Sequence, residues 1–324
     1  WHPEKMHPKG SESLILIVGA GPAGLEAALA LGRRGYNVML AEASRELGGR
    51  VRREATLPGM SEYIRVKDYR EQQLIEMPNV EIFRESHLTA EDVHAVGADH
   101  VVLATGARWR IERYDGNAYV AIVPKDINQT ILTPDDIMDG KMPKGPTLIY
   151  DEDSYYLGGV IAEKISTAGI EVIYATPNDV VSKWTENTSE RWRIQSHLMK
   201  LGIKLVLSKS LYSFDGNGAE MRCEYSGLSE NLKVESLVMV TQRQVNRDLF
   251  DALMDGVKGD HENLPFSLTR IGDCDAPAII AAAVYAGHRY ARQLDTRIDV
   301  DEPLIHDRLD VGQTPEGAYL INEE

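Results

Sequence analysis

The sequence predicts an α/β protein of two doubly wound parallel-sheet domains, the second inserted into the first. Leu14 to Leu31 reads as a buried strand, a glycine turn and an Ala/Leu-rich helix, and Thr147 opens a second strand–turn–helix unit. A late strand, Thr269 to Cys274, ends in Gly-Asp before another Ala-rich helix and returns the chain to the first domain. Strands alternating with helices give parallel sheets covered by helices.

The first unit opens with Leu14-Ile-Leu-Ile-Val18, a continuous apolar run of the kind buried on both sheet faces. Gly19, Gly21 and Gly24 follow in G-x-G-x-x-G spacing, with Pro22 and Ala23 starting the helix. Gly19 permits the tight turn, Gly21 lets backbone approach a pyrophosphate, and Gly24 allows helix to pack on strand. The phosphates are expected on the free N–H groups of the helix start, where the dipole favours negative charge. That spacing alone is weakly specific; its context supplies the rest. Gly35-Tyr36 turns into Asn37-Val-Met-Leu-Ala41, and this second strand ends at Glu42, beside Ala43. An acid about 20 residues past the glycines accepts hydrogen bonds from an adenosine ribose and repels a 2′-phosphate. The stretch therefore reads as a site for an adenine dinucleotide or its ADP half.

Length and charge bound the alternatives. At 324 residues the chain holds about two domains. A net charge of −15 without a basic stripe argues against a nucleic-acid partner. No apolar run reaches the roughly 20 residues of a membrane span, and no signal peptide is visible. Cys223 and Cys274 lie far apart and form no C-x-x-C, so neither a dithiol centre nor a metal site is expected, and a cytoplasmic setting fits.

Residues 1–13, with His2 and His7 beside prolines, read as a surface connector arriving from something upstream. Domain one is expected over 14–108 plus 268–296. Within it Gly48-Gly49 lets backbone pass close to a nucleotide, and Arg50 is positioned to meet a phosphate. Leu57 to Met60 is a turn before a polar helix from Ser61 to Gln73. Asn79 to Phe83 is a strand, and Glu85 to Leu88 follow near an adenine. His100 to Gly106 is a strand whose Ala-Thr-Gly ending, at Thr105 and Gly106, leaves room for ligand or for a chain crossing. Residues 107–139 suggest a crossover with a short ribbon, and Thr133-Pro-Asp-Asp136 starts a helix with Thr as N-cap. Asp273 is expected to face the ribityl or pyrophosphate portion of a nucleotide.

The second domain, 140–250, keeps the unit but changes its turn. Where glycines would cradle a nucleotide stand Asp151, Glu152 and Asp153, followed by Tyr155 and Tyr156. At an effective dielectric near 20, a carboxylate within about 5 Å of a phosphate charge costs roughly 3 kcal/mol. Micromolar binding is worth about 8 kcal/mol. Two such carboxylates not turned to solvent cancel most of that, so a degenerate NAD(P)-type domain is expected. Glu171 to Ala175 is a strand. Trp184 to Met199 reads as one exposed helix, leading into a strand from Ile203 to Leu207. Leu211–Phe214 and Met221–Tyr225 form a hairpin around Asp215-Gly-Asn-Gly218. Ser236 to Thr241 is a further buried strand, and the tail, 297–324, has no core pattern.

With these pieces placed, the chain resembles the C-terminal half of the trimethylamine, dimethylamine and histamine dehydrogenase family, over nearly its whole length. The resemblance rests on Trp1-His-Pro-Glu-Lys5, Val18 to Gly24, Glu46-Leu-Gly-Gly-Arg50, Leu57-Pro-Gly59 with Asp68-Tyr-Arg-Glu71, Ala104 to Trp109, Met138-Asp-Gly-Lys141 and Ile271 to Pro277. It implies an upstream (β/α)8 barrel with FMN and a 4Fe-4S cluster. It further implies ADP in this half, oxidative N-dealkylation of a small secondary or tertiary amine, and electrons leaving to an electron-transferring flavoprotein. A homodimer is expected, and no residue of this chain is expected to touch the amine. Gln242 replaces a glycine of the family's Thr-Gly-Arg, a second departure from the reductase branch. Two alternatives stay open: an FAD- and NAD(P)H-dependent reductase of the 2,4-dienoyl-CoA reductase type, and a stand-alone nucleotide-binding module.

Overall fold

The computed structural model describes residues 6–110, 113–115, 118–120, 131–255, 257, 259–260 and 263–295. The chain runs through β1 (Leu14–Val18), α1 (Pro22–Arg34), β2 (Asn37–Ala41), α2 (Arg50–Glu54), α3 (Arg65–Ile75), β3 (Val80–Phe83), α4 (Ala90–Val96) and β4 (His100–Leu103). It then crosses by β5 (Ala107–Trp109), β6 (Arg113–Asp115), β7 (Ala118–Val120), β8 (Ile131–Leu132) and α5 (Pro134–Met138). The second unit holds β9 (Thr147–Asp151), α6 (Leu157–Thr167), β10 (Val172–Ala175), α7 (Arg191–Lys200) and β11 (Lys204–Val206). It continues with β12 (Lys209–Phe214), β13 (Ala219–Cys223), β14 (Ser229–Leu232) and β15 (Ser236–Val240). The return path is β16 (Arg243–Val245), α8 (Asp248–Asp255), β17 (Ser267–Arg270) and α9 (Ile280–Gln293).

Two five-stranded sheets organise these elements, in the orders β17-β4-β1-β2-β3 and β11-β10-β9-β15-β8, with parallel pairing throughout. In each, the unit's first strand is central, its second lies on one side and a later strand on the other. The order therefore reverses beside β1 and beside β9, the places where open α/β sheets bind ligands. β17 pairs with β4, so the chain rejoins at Ser267 the sheet it left at Leu103.

β1 is buried from Ile15 to Val18 because both faces of its sheet are occupied. α1 and α9 bury one face with Ile15, Leu29 and Ala283, and α4 and α8 bury the other with Leu16, Val93 and Leu253. Each such branched side chain contributes about 1.5–3 kcal/mol when buried. α1 and α9 approach so closely that a methyl on Gly287 would lie 2.2 Å from the Ala23 carbonyl oxygen. The second sheet has helices on one face, through Ile137, Ile161 and Leu198. On its other face lies an antiparallel sheet, β12-β13-β14, through Leu211, Phe214 and Leu232.

Several expectations are corrected here. The span from Trp184 to Met199 is not one helix: a 3-10 turn, Lys183–Glu186, precedes α7. Asn187 and Thr188 bond back to the carbonyls of Trp184 and Thr185, and Ser189 takes φ +61°, which stops helix propagation. The hairpin around Asp215 is present, with Asp215 Oδ1 accepting from Asn217 and Gly218 N–H, but a third strand, β14, joins it. The described end of the connector lies against α1: Lys9 N–H donates to Arg34 O at 2.7 Å and Arg34 Nε to His7 O at 2.9 Å. Thr133 caps α5 as expected, in a reciprocal box with Asp136. His2 and the tail 297–324 lie outside the described residues.

Candidate functional site

The glycine turn between β1 and α1 is shaped by three different constraints. Gly19 takes φ +104°, and a methyl there would meet Ala104 O at 2.4 Å. A methyl on Gly24 would meet Gly19 O at 1.9 Å, so the third glycine lets the helix sit on its own turn. At Gly21 an added methyl would find nothing within 4 Å; this position faces open space. Gly21 is also the N-cap of α1, with no side chain capping it and Pro22 at the first position. The helix start thus presents uncapped N–H groups to that space, the arrangement that takes an anion.

Glu42, at the end of β2, is fixed beside the turn: its carboxylate accepts from Ala20 N–H at 2.8 Å and from Ser44 N–H at 2.9 Å. Ser44 Oγ donates to the same carboxylate at 2.6 Å. These bonds hold the charge at the mouth of the site while leaving acceptor capacity for a hydroxyl.

A cavity of about 1460 Å³ runs from this corner into the space between the two sheets. Its outer end is lined by Glu42, Ala43, Ser44 and the stretch Ser86 to Glu91, joined by Asp248 and Leu249 of α8. Its middle is lined by Gly19, Gly21, Pro22, Ala23, Gly49, Thr105 and Gly106. The chain crossing at Thr105 is clasped by Asn246, whose Nδ2 donates to Thr105 O and whose N–H donates to Gly106 O, both at 2.9 Å.

Charged and aromatic groups line the inner end. Arg50 Nη2 donates to Ala107 O at 2.8 Å, and Arg243 pairs with Asp273 while donating to Ala278 O at 2.8 Å. Tyr156 of the second unit reaches across and donates to Glu54 at 2.7 Å. Burial pushes Glu54 above the usual carboxylate range, against the Tyr156 bond, and raises Asp153 against the pull of Arg243 and Arg50.

In the second unit, a side chain takes the corner behind the corresponding turn, while Asp153, Tyr155, Tyr156 and Leu157 of that turn line the cavity. Asp151 is wholly buried and accepts from Ser154 N–H at 2.9 Å and from the Tyr174 hydroxyl. Its carboxyl lies 2.7 Å from where a methyl on Gly158 would stand, so it fills the corner where α6 meets β9. Burial, with the neighbouring Asp153 charge, pushes Asp151 up to about 7. Glu152 accepts from Tyr150 OH at 2.8 Å. Asp151 points inward, whereas Asp153 is half-buried and lines the cavity.

Of the residues expected at the nucleotide, Gly19, Gly21, Pro22, Ala23, Glu42, Ala43, Gly49, Arg50, Thr105, Gly106 and Asp273 line the cavity, whereas Gly24 lies behind the turn and Gly48 and Glu85 are not in the lining. Arg50 lines the cavity; its Nη2 donates to Ala107 O, while its Nη1 lies 3.7 Å from Asp135 and has no hydrogen-bond partner. Asp273 is already paired with Arg243. Sequence reasoning missed Glu54, Trp109, Arg243 and Asp248 as lining residues; only contacts between distant segments bring them there. Among the described residues no group of three or more His, Cys, Asp or Glu could hold a metal ion, and no helix is long and apolar enough to cross a membrane.

This architecture is that of an FAD/NAD(P)-binding pair of domains, and the family model for pyridine nucleotide-disulphide oxidoreductases matches residues 13–264. Over 321 residues the chain is 34% identical to dimethylamine dehydrogenase of Hyphomicrobium sp. (strain x), covering 91% of this chain and 43% of that protein. The structure of histamine dehydrogenase from Rhizobium sp. 4-9 superposes with a TM-score of 0.87 at 42% identity, over 97% of this chain and 49% of the other. That of 6-hydroxypseudooxynicotine amine oxidase from Pseudomonas geniculata N1 gives 0.85 at 39% identity, over 91% and 44%. The chain belongs to the dimethylamine/histamine dehydrogenase family, matching the C-terminal portion of its members. It spans about half the length of the relatives it matches.

Proposed function

We propose that this chain is the ADP-binding portion of an FMN- and 4Fe-4S-containing amine dehydrogenase. The observation that carries the nucleotide assignment is the open, uncapped turn at Gly21, with Glu42 held beside it. The N–H groups at the start of α1 hold the pyrophosphate, Glu42 accepts from the ribose, and Ser86 to Leu88 flank the adenine. The corner taken by Asp151 supports loss of nicotinamide-nucleotide binding in the second unit. In the whole protein, FMN and the cluster would supply the redox chemistry, in a part that this chain does not span. The relatives named above act on amines, which supports an amine as the substrate of the whole protein; the reaction we propose is oxidative N-dealkylation of a small secondary or tertiary amine by a homodimeric enzyme that passes electrons to an electron-transferring flavoprotein.

The test is to denature the purified protein and identify the released nucleotide by mass and absorption spectrum. ADP is expected. FAD would shift the reading to a reductase of the kind the matched family model describes, and protein that neither releases nor binds ADP would overturn it.

A further inference from the structure

An ADP seated on α1 with its ribose at Glu42 directs its β-phosphate inward. Any longer dinucleotide must therefore continue toward the inner end of the cavity. There, on the β5–β16 ribbon, Trp109 is paired in register with Arg243 and is 7% exposed. Two guanidinium groups lie over its ring, those of Arg50 and Arg243, with their carbons 5.7 and 5.4 Å from the ring centroid. Each is tied down beyond the indole, Arg50 by Ala107 O and Arg243 by Asp273 and Ala278 O. A planar ring gains from a guanidinium over its face, by about 0.5–2 kcal/mol depending on desolvation. The protein's own indole already takes both such contacts.

Resting on the ADP reading above, we propose that Trp109 is the specificity-determining residue that confines this site to the ADP half of a dinucleotide. Its indole occupies the guanidinium-flanked slot that a second planar ring, such as that of FAD, needs. Arg50 and Arg243 orient the indole rather than the nucleotide. Glu42 and the glycine turn hold ADP whether or not Trp109 is present.

The experiment compares ADP with FAD by titration calorimetry on the 324-residue chain dialysed free of nucleotide, as wild type, Trp109→Ala, Trp109→Leu and Trp109→Phe. Wild type is expected to prefer ADP by at least about tenfold. Trp109→Ala and Trp109→Leu are expected to lower that preference by at least about tenfold through tighter FAD binding, with ADP affinity little changed. Trp109→Phe, which keeps a ring in the slot, should behave as wild type. Wild type binding FAD as tightly as ADP would overturn the proposal, as would an unchanged ADP/FAD ratio in folded Trp109→Leu protein. Failure of wild type to bind ADP would instead overturn the reading on which the proposal rests.

Discussion

Between β1 and α1 the space before the helix start is open at Gly21, whereas between β9 and α6 the Asp151 carboxyl stands against the helix at Gly158. Both sheets place the turn beside the central strand, and neither helix is capped by a side chain. In the first unit the space in front of the helix is open because Gly21 carries nothing into it. In the second, a buried carboxylate at Asp151 stands against the start of α6, tied to Ser154 and Tyr174. The same fold thus supports ligand binding or self-filling according to a few side chains in one turn.

The sharpest way to break this comparison is at the first turn. Gly24→Val should destabilise the fold by more than about 4 kcal/mol, since its side chain would collide with backbone at Gly19; an unaltered urea midpoint would contradict the packing described. Gly21→Val should move that midpoint far less, since an added methyl meets nothing within 4 Å and only the N-cap preference for glycine, about 1 kcal/mol, is lost. It should weaken ADP by about 100-fold, roughly 2.7 kcal/mol, in calorimetry. A variant that still binds ADP normally would remove the phosphate from this turn.

The second turn predicts a pH effect. Asp151 titrates higher when folded, near 7, than its ordinary 3.8. Between those values the folded state holds a proton that the unfolded state has lost, so stability falls as pH rises, by up to roughly 1.4 kcal/mol per pH unit, and levels off above 7. Asp151→Asn keeps an acceptor for Ser154 and removes the charge. It should flatten this slope, raising the unfolding temperature at pH 8 relative to wild type; parallel pH profiles would refute the buried-carboxylate account. The smallest effect is expected at the bridge between units. Tyr156→Phe loses the bond to Glu54 and should cost about 1–3 kcal/mol, as a buried acceptor is left without its donor.

Much of the fold was legible before any coordinates. Leu14 to Leu31 names its own strand, turn and helix, because each glycine there answers a local steric demand. Thr133 announces a cap for the same local reason. The break at Asn187 to Ser189 was not legible, since side-chain bonding to nearby carbonyls overrode an amphipathic pattern. Nor was β14, whose Ser229–Leu232 becomes a strand only by pairing with β13.

What the sequence by itself determined is the pair of strand–turn–helix units, the glycine cradle and the acid that follows it, all set by contacts within about 30 residues. Where the acids at 151 and 153 point, which partners Arg50 and Arg243 take, and what closes the inner end of the cavity were decided by tertiary structure. Those outcomes depend on meetings such as Tyr156 with Glu54 and Arg243 with Asp273, between segments far apart in the chain. Burial then changes the chemistry of a carboxyl group in a way that its position in the sequence does not record.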